Sequence, residues 1–307
     1  MEELVVSKKT LHEMMYESLV RSAKLMPSDI KAALERDLKQ ETNELARKHI
    51  EAMLGGADMC AESDGVLCAD TGWPLYWVRM GENVRLEGGF STLYSMAKQA
   101  ATEATNNDRI RPNMVHPLTR EYYPGNSGPY MPRVEIQFDP RIDFLEVVGI
   151  AKGGGSELFG TFYTIIAPAD RHQGVIKFVL DCLREATFAG KACGPNIVGV
   201  GIGGTADLAM HIAKEAALLR PVGSRHPDPA MAKMETDLLE AARYLNRGPM
   251  GTGGRTGALD VHVEFAATHS GTLPVAFQTQ CCITRRAVAH YGGAKIEYSD
   301  VPNWDYR

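Results

Sequence analysis

The sequence lacks any pair of cysteines at the CxxC spacing that zinc ribbons and ferredoxin-type clusters use. It also has no recognisable export signal, so its six scattered cysteines are not expected to form a disulfide framework. The thiols are therefore expected to be buried, to be reactive, or to be ligands that converge only after folding. The six are Cys60, Cys68, Cys182, Cys193, Cys281 and Cys282.

Three further absences limit the classes of function. No run of about 18 uncharged apolar residues is present, so no transmembrane helix is expected. The formal net charge of −5 gives no support to nucleic-acid binding, which would need a basic face. The N-terminal residues have an acidic, helical pattern without the basic and apolar regions of a secretory signal, so the cytoplasm is the expected compartment.

The composition is that of an ordinary globular protein, with 44% hydrophobic and 23% charged residues. Residues 7–54 have the spacing of a helical hairpin, and Gly55-Gly56 is expected to end its second helix. Other helices are predicted at 91–105, at 170–189 with an end at Gly190, after Gly204 as far as Leu219, and at 229–246. Strands are predicted at 75–80, 133–138, 144–151, 162–167, 196–202, 260–266 and 273–279. We therefore expect a mixed α and β (α+β) fold, a helical N-terminal hairpin followed by a mixed sheet flanked by helices, in a single compact domain.

The first motif with chemical content is Cys68-Ala69-Asp70-Thr71-Gly72. Asp-Thr-Gly is also the signature of aspartic proteases, but those enzymes need a second copy and none is present. A thiolate and a carboxylate two residues apart on a loop are both able to face one site. The alternative is a turn that carries a small buried thiol.

The second motif is Cys193-Gly194-Pro195, followed by an apolar strand with Gly199, Gly201 and Gly204. These glycines match the GxGxxG pattern of dinucleotide-binding folds. The match is incomplete, because the glycines begin inside the strand and no acidic residue follows about twenty positions later. A helix N-terminus after paired glycines can also hold a substrate carboxylate.

The third motif, Lys152-Gly153-Gly154-Gly155-Ser156, follows a predicted strand. Three consecutive glycines allow backbone N–H groups to face a ligand without obstruction from side chains. The spacing is not that of a Walker loop, so an ATP site is not expected. A sharp turn without a ligand remains the alternative.

The fourth motif is Cys281-Cys282 shortly before Arg285-Arg286. Two adjacent cysteines cannot both point the same way from an extended backbone, so at most one is expected to be a ligand. Further candidates to bind carboxylates are Arg111 and the pair Arg225-His226, which lies between a glycine and a proline. A dicarboxylate substrate would need two such cationic groups, one for each carboxylate.

Taken together and in this order, these segments resemble the α subunit of two-subunit class I fumarases and L-tartrate dehydratases. The resemblance covers nearly the whole chain from Cys68 to Arg286, including the Arg-Pro-Val-Gly-Ser-Arg-His-Pro segment that contains Arg225 and His226. It implies a single family domain over residues 1–307, with 1–56 as its helical N-terminal part.

The resemblance also implies a cofactor and a partner. The cofactor is a [4Fe–4S] cluster held by Cys68, Cys193 and Cys281, with the fourth iron left open; Cys60 and Cys182 match no ligand of the family. Asp70 matches the family's catalytic Asp, which assists a threonine carried by a separate β subunit, so an αβ or α2β2 assembly is expected. The residues expected to bind a small dicarboxylate are Arg111, Lys152, Gly154, Ser156, Arg225 and His226.

Two positions depart from the family pattern. Ala69 replaces a glutamine that contacts substrate in the family, and Gly194 replaces the first proline of Cys-Pro-Pro. Loss of the amide enlarges the pocket and removes a polar contact, so a bulkier or alkyl-substituted malate is a reasonable substrate hypothesis. The expected function is hydration and dehydration of a small hydroxy-dicarboxylate. The alternatives are a nucleotide-dependent oxidoreductase that uses Gly199–Gly204 and a non-catalytic scaffold that has lost the cluster.

Overall fold

The computed structural model describes residues 3–188, 191–283 and 285–303. Helices and strands are mixed throughout, which confirms the α+β prediction. The α-helices of the described residues are α1 (Lys8–Lys24), α2 (Ser28–Gln40), α3 (Glu44–Glu62), α4 (Thr92–Asn106), α5 (Gly154–Phe159), α6 (Arg171–Ala186), α7 (Ala206–Leu219) and α8 (Pro229–Tyr244). The strands are β1 (Leu4–Val6), β2 (Trp73–Met80), β3 (Val84–Leu86), β4 (Arg133–Phe138), β5 (Leu145–Lys152), β6 (Thr161–Ile166), β7 (Asn196–Gly203), β8 (Ala258–Ala266), β9 (Leu273–Gln280), β10 (Arg286–Tyr291) and β11 (Ile296–Ser299).

Contacts between residues divide the described chain into two compact units. The first unit contains residues 3–27, 57–152 and 285–302, and the second contains residues 28–56, 153–188, 191–283 and 303. The boundary falls within α3 and again between β5 and α5. The prediction of one family domain over residues 1–307 stays a prediction.

The first unit is built on a five-stranded sheet in the order β11-β10-β5-β2-β4. Only β2 and β4 are parallel neighbours in it, while its other pairs are antiparallel. Helices α1 and α4 supply the core with apolar side chains such as Met14, Leu19 and Leu93. Gly149 in β5 allows α1 to approach closely, since a Cβ there would lie 2.5 Å from the hydroxyl oxygen of Ser18.

The second unit is built on a four-stranded sheet in the order β6-β9-β7-β8, in which β7 and β8 are parallel. Helices α6 and α8 cover one face with residues such as Val179 and Leu238, which pack with Val198 and Val200 of β7. Helix α7 covers the opposite face, where Ala213 packs against β9. Because β7 and β9 are central, the residues at their ends are held firmly in place.

The helical N-terminal part is confirmed, and it consists of three helices where the sequence suggested a hairpin. Gly55 and Gly56 lie inside α3 and do not end it. Each glycine costs a helix about 1 kcal/mol relative to alanine, which the continuing backbone hydrogen bonds and the burial of Ala57 offset. The predicted helix end at Gly190 lies outside the described residues. Within the part of the chain that is described, no helix has the length and apolar character needed to cross a membrane.

Candidate functional site

The Cys68–Gly72 motif lies in the first unit, in the irregular segment between α3 and β2. Thr71 is buried, and its hydroxyl oxygen accepts hydrogen bonds from the backbone N–H of Arg111 at 2.9 Å and from the side chain of Asn113 at 3.3 Å. Gly72 has a φ of 84°, a conformation that favours glycine. The catalytic motif predicted from sequence is thus tied to the loop that carries Arg111.

Asn126 organises this long loop, and the sequence analysis missed it. Its side-chain oxygen accepts from the backbone N–H groups of Asn113 at 2.6 Å and Met114 at 3.1 Å. Its side-chain nitrogen donates to the carbonyl of Arg111 at 2.8 Å and to the hydroxyl of Thr105 at 2.9 Å. The side chain is fully buried, so these four bonds fix the backbone on which Arg111 is placed. The only signal in the sequence was an asparagine after a proline–glycine turn, a position where asparagine tolerates a positive φ.

Two buried cations accompany the Asp70 motif in the first unit. The guanidinium of Arg285 donates a hydrogen bond to the backbone carbonyl of Asp70, and the carbonyl of Arg285 accepts from the N–H of Ala151 at 3.2 Å. Lys152 ends β5 opposite Trp73, which directly follows the motif. Both cations are only 1% exposed. Solvent screens buried charges weakly, so an anionic ligand near them would be attracted strongly.

In the second unit, neighbouring loops carry Cys193 and Cys281. The backbone N–H of Cys282 donates to the carbonyl oxygen of Cys193 at 3.1 Å. The side-chain nitrogen of Asn196 donates to the carbonyls of Cys193 at 3.1 Å and Gln280 at 3.3 Å. Asn196 is fully buried. One amide therefore joins the start of β7 to the end of β9 and holds both cysteine loops.

The glycine-rich loop joins the same group of contacts through Ser156. The buried Ser156 hydroxyl lies 3.4 Å from the side-chain oxygen of Gln280, and that oxygen accepts the backbone N–H of Cys281 at 3.2 Å. We call Ser156, Cys193, Asn196, Gln280 and Cys281 the cysteine-loop network. The structure thus brings together three segments that the sequence analysis had singled out separately.

The two adjacent cysteines differ in exposure. Cys281 is 9% exposed and its thiol donates to the carbonyl of Ile283 at 3.4 Å, whereas Cys282 is 2% exposed. Cys193 is exposed. Cys281 is therefore slightly more exposed than Cys282, although both are buried, and the choice of Cys281 as a ligand stays a prediction.

The two cysteines without a family counterpart, Cys60 and Cys182, have surroundings of their own. The thiol of Cys60 donates to the carbonyl of Val66 at 3.3 Å. Burial, together with the negative charge of Asp181, raises the pKa of the Cys182 thiol to about 12. A thiol with such a pKa stays protonated at neutral pH, so Cys182 is suited to packing and not to ligation.

Arg225 contacts β8, an edge strand of the second sheet. Its guanidinium donates to the carboxylate of Asp260 at 2.8 Å, which also accepts the backbone N–H of Gly223 at 2.6 Å. His262 lies 3.2 Å from the same carboxylate. Burial acts to raise the pKa of Asp260, but the hydrogen bond and charge of His262 together with these donors hold it at about 2. The positive charge of Arg225 thus already compensates the negative charge of the buried Asp260 carboxylate.

His226 belongs to a cluster of ionisable side chains that also contains Arg220, Glu235 and Glu264. Its Nε2 lies 3.6 Å from a carboxylate oxygen of Glu264, and its backbone N–H donates to Glu235 at 3.0 Å. Burial, reinforced by the charge of Arg220, lowers the pKa of His226 below 6.5. Burial raises the pKa of Glu264 to about 7, although Arg220 at 3.3 Å opposes the shift. These contacts give Arg225 and His226 a structural role, and substrate binding by either residue stays a prediction.

The glycines that resemble a dinucleotide fingerprint permit close helix packing. A Cβ on Gly199 would lie 2.0 Å from the carbonyl oxygen of Ala213, and one on Gly201 would lie 2.0 Å from that of Ala209. Both carbonyls belong to α7, so this helix lies directly against the backbone of β7. The packing accounts for the glycine pattern without a nucleotide.

The thiols of the chain suit an iron–sulfur cluster in their chemistry. No disulfide joins any of the six cysteines, and Cys193 and Cys281 lie on hydrogen-bonded loops beside Gln280, a buried amide whose nitrogen lacks an acceptor among the described residues. Cys68 belongs to the first unit. Over residues 3–188, 191–283 and 285–303, no group of three or more histidine, cysteine or acidic side chains is placed so that it could hold a metal ion. The loops of Cys193 and Cys281 in the second unit thus lie next to each other, and ligation of a cluster by Cys68, Cys193 and Cys281 stays a prediction.

Comparison with known proteins gives consistent results. Residues 12–290 match the family described as "Fumarate hydratase (Fumerase)". The "Putative L(+)-tartrate dehydratase subunit alpha" of Methanocaldococcus jannaschii is 37% identical over 279 residues, which are 91% of this chain and 96% of that protein. The "L(+)-tartrate dehydratase subunit alpha" of Escherichia coli K12 is 33% identical over 261 residues, which are 85% of this chain and 84% of that protein. The family match spans most of the chain and both relatives are covered over more than two thirds of their length, so this chain belongs to the fumarate hydratase family of hydro-lyases.

Proposed function

We propose that this chain is the α subunit of an iron–sulfur hydro-lyase that reversibly adds water to, or removes it from, a small dicarboxylate. The observation that carries the proposal is the cysteine-loop network, which joins Cys193, Cys281 and the glycine-rich loop in a member of this family. The relatives are named as subunits alpha, which supports a requirement for a separate β subunit.

The proposed cofactor is a [4Fe–4S] cluster with Cys68, Cys193 and Cys281 as its three protein ligands. With three thiolates, the bound cluster would supply one iron without a protein ligand, a Lewis acid for the substrate's hydroxyl and carboxylate oxygens. The thiolate form is required for ligation. An exposed iron is readily oxidised and lost, so the proposal assigns the protein to a reducing compartment such as the cytoplasm.

The chain's own residues would bind and orient the dicarboxylate. Lys152 provides a buried cation, and Arg111 is placed by Thr71 and Asn126 on a fixed backbone. Backbone N–H groups near Gly154 and the hydroxyl of Ser156 are donors of the kind that hold a carboxylate. Arg225 and His226 are the other proposed substrate contacts, and a substrate carboxylate there would compete with Asp260 and Glu264.

Proton transfer needs a base next to the carbon that loses its proton. We propose that Asp70 assists a base supplied by the β subunit and is itself held by the hydrogen bond from Arg285 to its carbonyl. The α chain alone would then bind the cluster and have little activity. The proposed active assembly is αβ or α2β2.

The substrate class follows from the two departures at Ala69 and Gly194. Alanine offers no amide to a substrate oxygen and leaves more space than glutamine. A Cβ on Gly194 would meet no atom closer than 3.5 Å, so the local backbone does not itself require glycine there. We propose a malate with an alkyl substituent as the preferred substrate.

The test is an anaerobic assay of the α chain co-expressed with its β subunit. The panel consists of malate, tartrate and 2-methylmalates, with the α chain alone as a control. We expect activity only with both subunits and the highest kcat/KM for a substituted malate. Preference for plain malate over every substituted acid would contradict the substrate assignment. No activity on any acid, with no iron bound, would instead favour a scaffold without a cluster.

A further inference from the structure

Gln280 is the last residue of β9 and directly precedes Cys281. It pairs with Ile197 of the neighbouring central strand, and its side chain is fully buried. The side-chain oxygen accepts the N–H of Cys281 at 3.2 Å. Because a backbone N–H can only donate, the atom that faces it must be the oxygen of the amide.

The nitrogen of the same amide has no acceptor among the described residues, although it is buried. An amide nitrogen carries two N–H donors, and leaving a buried donor unpaired costs about 1–3 kcal/mol. Gln278 is a useful comparison, because it lies two residues earlier on the same strand and is equally buried. Its side-chain nitrogen donates to the hydroxyl of Thr161 at 2.7 Å. The described residues therefore supply an acceptor for the side-chain nitrogen of Gln278 and none for that of Gln280.

We propose that the side-chain N–H of Gln280 donates a hydrogen bond to a sulfur atom of the cluster, so that Gln280 is a positioning residue that sets the cluster's reduction potential. This inference rests on the proposed function. Cluster sulfides and cysteine thiolates are hydrogen-bond acceptors, and hydrogen bonds to them are among the factors that set cluster potentials. A bound cluster would thus supply the acceptor that the described residues do not provide.

The direction of the effect follows from charge. Reduction adds negative charge to the cluster, and an N–H donor stabilises that charge, so the hydrogen bond raises the reduction potential. The same donor makes the resting cluster harder to oxidise, which would protect an open iron. The oxygen of Gln280 meanwhile keeps its bond to Cys281 and fixes the backbone of that ligand.

The test compares Gln280→Met with Gln278→Met in the full chain, reconstituted anaerobically with iron and sulfide. Methionine has similar length and no N–H donor. We expect both variants to bind as much iron as the wild type. Gln280→Met should have a more negative midpoint potential, and the reduced cluster should lose an exchangeable-proton coupling measured by electron–nuclear double resonance. Gln278→Met should keep the wild-type potential and coupling.

Each other outcome has a definite meaning. An unchanged potential and coupling in Gln280→Met, with iron bound, would overturn the inference and leave the proposed function standing. A wild-type chain that binds no iron would overturn both. If Gln280→Met does not fold, Gln280→Leu is a smaller apolar replacement that also removes the donor. That variant should show the same negative shift and the same lost coupling, and a wild-type coupling would overturn the inference.

Discussion

The backbone N–H of Cys282 donates to the carbonyl oxygen of Cys193 at 3.1 Å, which joins two loops far apart in the sequence. Asn196 donates to the same carbonyl and also to that of Gln280. The loops that carry two proposed cluster ligands are therefore fixed by backbone and amide contacts before any cofactor binds. Such preorganisation lowers the entropic cost of assembling a site.

The exposure of the adjacent cysteines predicts which one is the ligand. Cys281→Ala should lose most of its iron, and its kcat should fall by about 100-fold or more. Residues that only support metal ligands already change metal affinity or activity by about 10–100-fold, so loss of a ligand should have at least that effect. Cys282→Ala should keep its iron and lose about 1 kcal/mol of stability from a small cavity. Iron content and activity of the α/β complex check both. The reverse pattern would assign the ligand to Cys282.

Asn196→Asp tests the link between the cysteine loops. The substitution keeps the shape, removes the N–H donors and places an oxygen against two carbonyls, so we expect the free energy of unfolding to fall by about 3 kcal/mol. Asn43→Asp is the matched control in the same unit, because the exposed Asn43 uses only its oxygen to accept from Ala46 at 3.0 Å. It should change stability by about 0.5 kcal/mol or less. Similar losses in both variants, measured by urea unfolding, would mean that Asn196 does not hold the loops.

Gly155 in the glycine-rich segment and Gly160 at the end of α5 offer a pair of substitutions that separate binding from packing. A Cβ on Gly160 would lie 1.7 Å from the hydroxyl oxygen of Thr279 and 2.6 Å from the carbonyl of Ser156, so Gly160→Ala should cost about 2–3 kcal/mol of stability. A Cβ on Gly155 meets only the carbonyl of Lys191, at 3.9 Å. Gly155→Ala should therefore keep its stability and lower kcat/KM if substrate approaches this loop. Unchanged kcat/KM in Gly155→Ala would argue against substrate contact there.

Glu264 predicts a pH dependence of stability. Its folded pKa of about 7 lies above its ordinary value of 4.5, mainly because of burial. The folded state therefore binds the proton more tightly than the unfolded state, so this group favours folding at low pH, and the benefit is lost as pH rises from about 4.5 to 7. Glu264→Gln should be more stable than wild type at pH 8 by about 2 kcal/mol, with a smaller difference at pH 4.5.

The control for this prediction is Glu240→Gln, because Glu240 is exposed on α8. The free energy of unfolding of Glu240→Gln should equal that of the wild type at every pH. The difference between wild type and Glu264→Gln isolates Glu264 from His226, whose lowered pKa favours folding at higher pH. A difference that does not change between pH 4.5 and 8 would mean that Glu264 has the same pKa in the folded and unfolded states, which would contradict the prediction.

Much of the fold could be predicted from the sequence, because its signals are local. Strand β4 was predicted with its observed bounds, and α8 begins at Pro229 after Asp228, whose side chain caps the helix. Gly55-Gly56 misled the prediction, because a local glycine penalty was outweighed by the rest of α3. The chemistry-bearing segments were also recognisable, since cysteines and glycines at these spacings form a specific combination.

The contacts that organise the candidate site could not be predicted. Asn126, Arg285 and Gln280 act through partners that folding alone brings near, and no spacing in the sequence predicts these contacts. The glycine pattern at Gly199 and Gly201 could be read in two ways, because close packing against a helix and close approach to a phosphate both require the absence of a Cβ. Only the position of α7 distinguishes the two.

The most direct test of the account is the Mössbauer spectrum and iron content of the anaerobically reconstituted chain, before and after addition of a malate-type acid. The account predicts about four irons per chain, one of them distinct and altered by the acid. The same treatment of Cys68→Ala, Cys193→Ala or Cys281→Ala should leave little iron, whereas Cys60→Ala should match the wild type. A colourless wild-type chain, or a cluster that survives in all three variants, would contradict the account.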